Sequence, residues 1–254
     1  YLTPDFSRFS PTTVLAALGQ LFYSMSLAMG IMVTYGSYMK KDVNLEKSVH
    51  QIEWFDTGIA LVAGLMIVPA VFVFSGGDAA ALNKGPSLMF ITLPKVFGSM
   101  SMGALVGGAF FLLVLFAALT SAISLFETVV SILQDKLHWN RRLTCLVVFI
   151  GVLLVGVPSS LGFGPWEAVQ VMKLSILDLF DFLSNSVLMP IVAFFTCIFV
   201  GYVVGTKTIS DEVKISSKFK GEKLFVVIIK YIAPICIVAI LISSVLDGLG
   251  IFKI

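Results

Sequence analysis

The sequence predicts an all-α, polytopic transmembrane helical bundle, and three observations predict it. Hydrophobic residues make up 58% of the 254 and charged residues only 13%, against roughly 45 to 50% and 25% in soluble domains. Mean hydropathy is +1.01. The apolar residues gather into six stretches, each well beyond the roughly ten alternating residues of a membrane barrel strand.

In chain order the predicted spans are 13–38, 57–74, 104–133, 143–158, 174–204 and 224–245. The first is 26 residues long, which as one helix would measure roughly 39 Å against a hydrocarbon core of roughly 30 Å. It either tilts or is interrupted. Gly30 is a poor helix former, and the hydroxyls of Ser24 and Ser26 can satisfy or replace backbone hydrogen bonds, so an unwound centre from Ser24 to Gly30 is predicted. Unwound backbone at membrane depth is tolerated only where it lines a site. The second span follows Asp56, the third is rich in small residues, and the fourth is the shortest, ending at Pro158. The fifth and sixth are long and apolar. Between the second and third spans, the connection 75–102 carries a Gly-Gly pair, Pro86 and Pro94, and is expected to be a large outer loop folding over an entrance.

Lys and Arg set the orientation. Lys40, Lys41, Lys47, Lys136, Arg141, Arg142, Lys207, Lys214, Lys218, Lys220, Lys223 and Lys230 fall on one side, and Arg8, Lys84, Lys95, Lys173 and Lys253 on the other. Twelve against five assigns the first group to the cytoplasm. The chain is expected to lie in the plasma (inner) membrane as one multi-pass domain, residues 1–254, with no visible internal repeat.

Composition also excludes functions. A net charge of +2, with the basic residues scattered, gives no nucleic-acid surface. Cys145, Cys197 and Cys236 fall singly in apolar runs, without CxxC or a paired His, so neither zinc nor a disulfide frame is indicated. His50 and His138 sit in polar connections. No nucleophile with a base, HExxH or phosphate loop stands out, so the chain is not read as an enzyme. It begins with Tyr1 rather than Met, and a preceding segment is expected.

A charge inside a span costs about 2.5 to 3.5 kcal/mol at the helix centre, so each needs a reason. Asp56 reads equally as a helix N-cap at the interface and as a functional acid. Asp178 and Asp181 share a helix face and suit capping near the outer surface, with a functional role as the alternative, while Glu127 points into the bundle two turns beyond Thr120, where it reads equally as a structural hydrogen-bonding group and as part of transport. Ala117, Thr120 and Ser121 recur at i, i+3 and i+4, offering carbonyl and hydroxyl oxygens that suit a hard cation such as sodium. Tight helix packing through small residues is the plainer alternative for this trio. The interrupted first span adds free carbonyls that attract sodium or an ammonium, and free amides that attract a carboxylate.

At this point the residues are recognisable. GQLFYSMSLAMGIMVTYGSYMKKD, from Gly19 onward, resembles the sixth helix of the neurotransmitter:sodium symporter family, especially its bacterial amino-acid transporters. FITLP at 90–94, FAALTSAISLFE at 116–127, QDKL at 134–137 and LDLFDF at 177–182 match in order, so the resemblance covers nearly the whole chain. It implies the LeuT fold, here the second inverted repeat plus one further helix, with the first repeat, its gate arginine and its share of the sodium ligands missing.

The resemblance further implies that Ser24 helps bind a first sodium and that Ala117, Thr120 and Ser121 bind a second. Asp56 stands near the first sodium, where chloride-dependent relatives hold chloride, and a fixed carboxylate there implies chloride independence. Tyr23, Ser24, Ser26, Met29, Ser121 and Leu125 would line the substrate pocket. Met29 in place of a pocket aromatic would accommodate larger or varied apolar side chains. Gln20 and Asp181, with Tyr23 as an aromatic lid, would form the outer gate, and Tyr38 and Asp135 the inner one. The expected function is sodium-coupled symport of a hydrophobic or aromatic amino acid by alternating access. Its expected partners are sodium, the amino acid, membrane lipid and the missing repeat, in the same chain or in a partner chain. The rival is a non-transporting membrane fragment or a split half awaiting its partner.

Overall fold

Ser10 followed by Pro11 is a helix-start signal, and the chain uses it: the Ser10 side chain accepts a hydrogen bond from the Thr13 amide at 3.3 Å, opening α1 (Pro11–Ser24). The computed structural model describes residue 6 and residues 9–74, 76, 88–171 and 174–248. Arg8, Lys84, Lys173, Lys253 and the Gly77 and Pro86 end of the predicted outer loop lie outside the described residues.

After a break, α2 (Ile31–Tyr38) completes the first predicted span as two half-helices. The second span starts twelve residues earlier than hydropathy alone indicates: Asn44 Oδ1 accepts from the Lys47 amide at 2.9 Å and starts α3 (Leu45–Phe74). This corrects the reading of Asp56 as an N-cap, since it lies inside α3 and is half-buried. The polar first turns, LEKSVHQIEW, are good helix formers but not apolar, so a span search stops short of them.

Within the predicted outer loop, a π turn (Leu88–Thr92) leads into α4 (Leu93–Gly98). Next come α5 (Gly103–Leu137) and α6 (Arg141–Leu161), the latter capped by Asn140, whose Oδ1 accepts from the Leu143 amide at 2.8 Å. Pro158 does not end α6, because the helix closes one more turn before Gly162 donates back to the Pro158 carbonyl at 3.0 Å.

The fifth span is one continuous helical run of 41 residues, Ile176–Ser216. It consists of α7 (Ile176–Asp181), a π turn (Phe182–Leu188), α8 (Met189–Ile198), a second π turn (Phe199–Gly205) and the polar α9 (Thr206–Ser216). Lys207 and Lys214 are therefore helical. The last span comprises α10 (Glu222–Val227), a π turn (Ile228–Ile232) and α11 (Ala233–Gly248), which places Lys230 inside it. Among the described residues, five helical runs are long and apolar enough to cross a membrane, and the α1–α2 pair accounts for the sixth predicted span.

The chain groups into two compact units, one built mainly on Gln51–Ile123 and the other on Phe9–His50 with the chain from Ser124 onward. In the first unit, Val71, Leu93 and Val96 are buried together, with Phe97 and Phe110 packed against them at a ring separation of 5.3 Å. This seats α4 on α3 and on the start of α5. In the second unit, Ala193, Cys197 and Ile237 form the buried centre of the α8–α11 contact, and Phe22 and Ala28 pack onto it. Ala193 and Cys197 supply small side chains at that contact, which favours close approach where lipid supplies no hydrophobic drive between helices. None of the most apolar window of α5 is buried.

Candidate functional site

The break in the first span is local and complete. Met25 donates to Leu21 O at 3.1 Å, Ser26 to Tyr23 O at 3.0 Å and Leu27 to Phe22 O at 3.0 Å, closing off the first half-helix. The helical ladder resumes only with Thr34 donating to Gly30 O at 3.0 Å. Between them, Ser26, Ala28 and Gly30 all have positive φ, at 53°, 62° and 79°. The left-handed conformation costs a residue with a Cβ roughly 1–2 kcal/mol, so two such residues persist only where their surroundings hold them.

Those surroundings can be named. Ala28 packs against the buried Ala193, Cys197 and Ile237 of α8 and α11. Gly30 faces Thr128 of α5, which is 3% exposed; a Cβ on Gly30 would lie 2.9 Å from the Thr128 methyl. The Thr128 hydroxyl donates to Ser124 O at 2.9 Å, which fixes that methyl in place. Glycine at position 30 thus meets two demands at once, positive φ and close approach. The carbonyls of Leu21, Phe22 and Tyr23 are taken by the three bonds that close the first half-helix, while the first amides of α2 stand before its ladder begins, as at any helix start, here in the middle of one span.

Beyond the break, α2 is fastened to the second half of α5. The Tyr35 hydroxyl shares a hydrogen bond with Ser124 Oγ. The Tyr38 hydroxyl donates to Glu127 Oε1 at 2.8 Å, and its oxygen lies 2.7 Å from Ser131 Oγ. With one proton to give, Tyr38 donates to Glu127 and accepts from Ser131. Arg141, at the start of α6, grips Glu127 with both arms, at 3.1 and 2.6 Å. Its side chain is 61% exposed and that of Glu127 only 18%, so the pair is a shielded carboxylate closed by a solvent-facing guanidinium. Glu127 does point inward as predicted, and its partners are now identified.

Other predicted site residues stand as follows. In the second unit, Gln20, Tyr23 and Ser24 are exposed on α1, while Ser26 and Met29 are half-buried in the break. Leu125 is 45% exposed on α5. Asp181 accepts from the Asn185 amide nitrogen, Nδ2, one turn on in its own helix. Asp178 belongs to a cap: Ser175 Oγ accepts from its amide at 3.1 Å and donates to its carboxylate at 2.7 Å. Asp135 is exposed, two turns beyond Glu127, and Tyr38 bonds to Glu127 and Ser131 instead. In the first unit, Ala117, Thr120 and Ser121 are exposed along one side of α5. The Thr120 hydroxyl has one proton to give and lies 3.0 Å from both Phe116 O and Ala117 O, its acceptors in the preceding turn.

Sequence reasoning passed over Arg141, Ser131, Ser124 and Thr128. A signal existed for them. Tyr35 and Tyr38 are three apart on α2, and Ser124, Glu127, Thr128 and Ser131 recur at 0, 3, 4 and 7 on α5, two polar ladders of matching period.

Comparison with known proteins adds an independent view. The model of the sodium:neurotransmitter symporter family matches residues 1–249. A sodium-dependent transporter of Haemophilus influenzae is 34% identical over 249 residues, covering 96% of this chain and 52% of that protein. A sodium-dependent transporter of Bacillus subtilis is 32% identical over 254 residues, covering 96% and 54%. Among solved structures, MhsT in complex with L-phenylalanine superposes with a TM-score of 0.82 at 37% identity, covering 95% of this chain and 54% of that one. The chain spans about half the length of the curated relatives it matches.

Proposed function

We propose, on the premise that this chain belongs to the sodium:neurotransmitter symporter family, that it forms the part of a sodium-coupled symporter that carries the broken helix and its ion and substrate ligands. The family is one of transporters rather than enzymes, and the chain is a multi-pass membrane protein with the LeuT fold. The proposed cargo is a hydrophobic or aromatic amino acid moved with sodium, without a chloride requirement.

The observation that carries the reading is the run of positive φ at Ser26, Ala28 and Gly30 between two half-helices. It takes the carbonyls that follow Tyr23 out of the helical ladder, where they suit a cation or an ammonium, and leaves oriented amides at the start of α2 for a carboxylate. In this reading, Ser24 serves the first sodium beside the substrate, with Asp56 supplying fixed negative charge in place of chloride. Ala117, Thr120 and Ser121 offer a second sodium neutral oxygens from one side of α5. Tyr23, Ser26, Met29 and Leu125 of the second unit are the proposed substrate contacts, and Ser121 of the first is proposed to serve the same ligand, in keeping with the aromatic ligand in the MhsT structure. Coupling follows where sodium and the substrate carboxylate share a site, because each then raises the affinity of the other.

Alternating access needs two gates. Gln20, Tyr23 and Asp181 serve the outer one. The inner one gathers around Tyr38, with Asp135 below it and the Glu127–Arg141 pair as its latch. While that latch holds, α2 stays fastened to α5 and the inner path is closed.

The test is binding of a panel of apolar amino acids to the purified full-length protein in sodium, with choline as the replacement ion. Saturable binding that vanishes in choline and weakens at least about tenfold in Ser24→Ala or Thr120→Ala, the loss of one ligand to a desolvated cation, is the expected outcome. Equal binding in both salts, or none to any amino acid, overturns the reading in favour of a non-transporting membrane protein.

A further inference from the structure

Lys230 lies in the final span, eight residues past its first residue, Glu222, or roughly 12 Å along the helix axis. A lysine at that depth calls for a compensating group. Among the described residues its ammonium has no carboxylate partner, whereas Arg141 pairs with Glu127 and Lys214 with Glu222. It sits instead 5.7 Å from the centre of the Tyr202 ring, within cation–π range.

This position is built rather than adventitious. Lys230 belongs to the π turn Ile228–Ile232, and Tyr202 to the π turn Phe199–Gly205 on the neighbouring run. A π turn shifts the backbone ladder, and here the Tyr202 hydroxyl donates to the Lys230 carbonyl at 3.1 Å. Gly201 is buried, and a Cβ on it would meet Lys230 Cγ at 3.5 Å, so the lysine stem runs over bare backbone. Stem, carbonyl and ammonium of Lys230 are each held by the same two residues, Gly201 and Tyr202. A snorkelling lysine on a smooth helix has no such restraints.

The surroundings indicate what completes it. Residues 206–230 carry six lysines and three acids, and Glu222 is already committed to Lys214 at 2.7 Å. Lys218, Lys220 and Lys223 are exposed at the junction that leads into the span. Next to Tyr202 in sequence, Val203 is 69% exposed, and Ile235, in the turn that follows Lys230, is 70% exposed, apolar surface suited to acyl chains. A fixed ammonium with three donors, three exposed lysines leading into the same run and exposed apolar side chains next to it in sequence match an anionic phospholipid in charge order.

We propose that the Gly201–Tyr202–Lys230 socket, with the lysines of 218–223 that precede Lys230, binds the headgroup phosphate of an anionic phospholipid in the leaflet on the Lys-rich side. The lipid supplies the countercharge that the protein leaves out.

Native mass spectrometry of the full-length protein, titrated with phosphatidylglycerol and with phosphatidylcholine of the same chains, tests this. The expected result is preferential retention of phosphatidylglycerol, weakened about fivefold by Lys230→Gln and preserved by Lys230→Arg, the loss of one basic contact near the surface. Equal retention of the two lipids, or unchanged affinity in Lys230→Gln, overturns the proposal. Equal competition by inorganic phosphate also overturns it, since the site would then take a free anion. Where Lys230→Gln does not elute as a single species, Tyr202→Leu carries the test. It keeps the charge but removes the platform, and must weaken phosphatidylglycerol without affecting phosphatidylcholine.

Discussion

The second unit interrupts its helices in two different ways. Between Ser24 and Ile31 the backbone leaves helical space, with three positive φ values in five residues and no ladder bond from Leu27 to Thr34. In the π turns Phe182–Leu188 and Ile228–Ile232, and in Phe199–Gly205 up to its terminal glycine, the flanking residues keep right-handed helical angles and the hydrogen-bond register slips. The first kind presents main-chain charge to a ligand. The second re-aims side chains without presenting much backbone, and the single carbonyl it offers at Lys230 is taken by Tyr202. A membrane chain thus has separate devices for making a site and for steering helix faces.

The largest expected effect comes from removing the permission for the break. Gly30→Ala combines left-handed strain of roughly 1–2 kcal/mol with a collision against the Thr128 methyl. Sodium-dependent amino-acid binding should fall more than tenfold, a loss of at least about 1.4 kcal/mol. Adding Thr128→Ser, which deletes that methyl and keeps the hydroxyl, should restore part of it; no restoration would mean that Thr128 is not the obstacle. Next, Glu127→Gln removes the carboxylate from the bidentate grip of Arg141 and should lower thermal stability by about 1 kcal/mol, a value limited by the guanidinium's exposure. Labelling of a cysteine introduced at Ser131 should speed up in the same variant, and an unchanged rate would separate this pair from gating.

Smaller changes sharpen the contrast. Tyr202→Phe keeps the ring over Lys230 but loses the bond to its carbonyl, and should cost about 0.5–1.5 kcal/mol in unfolding measurements while leaving sodium-dependent binding intact. Ala28→Gly should be nearly neutral, because relief of left-handed strain offsets a lost buried methyl worth about 0.8 kcal/mol. The same exchange at Ala193, inside α8, has no strain to relieve and should destabilise by about 0.5–1 kcal/mol beyond the methyl. Equal costs at the two positions would show that the break is not strained at Ala28.

These interruptions also mark what could be read from the sequence. The break was legible because serine and glycine stand in the middle of an overlong apolar stretch, where helix propensity and membrane thickness conflict. The π turns were not, since FVGYVVG and IIKYI are composed as any apolar helix is, and a register slip leaves no compositional trace. Hydropathy cut α3 at 57 because its first turns are polar, and with that cut Asp56 looked like a cap. The Tyr38–Glu127 bond spans 89 residues, so no local window contains it, and Arg141 had been assigned to orientation alone. The ligand sets at Ser24, Ala117, Thr120 and Ser121 rest on motif resemblance, because a lone hydroxyl on a membrane helix has the same composition whether it packs or coordinates.

Gly205 has a wider consequence. Its φ of 84° and ψ of 134° lie where residues with a Cβ are rarely found, and it separates the apolar run through Ile198 from the polar α9. Helices adjust to bilayers of different thickness by changing tilt. With a glycine joint between them, the spanning segment can lean further or stand straighter while α9 keeps its own attitude at the membrane surface. The lysine-bearing end of this span is thereby insulated from the thickness of the membrane that the protein inhabits.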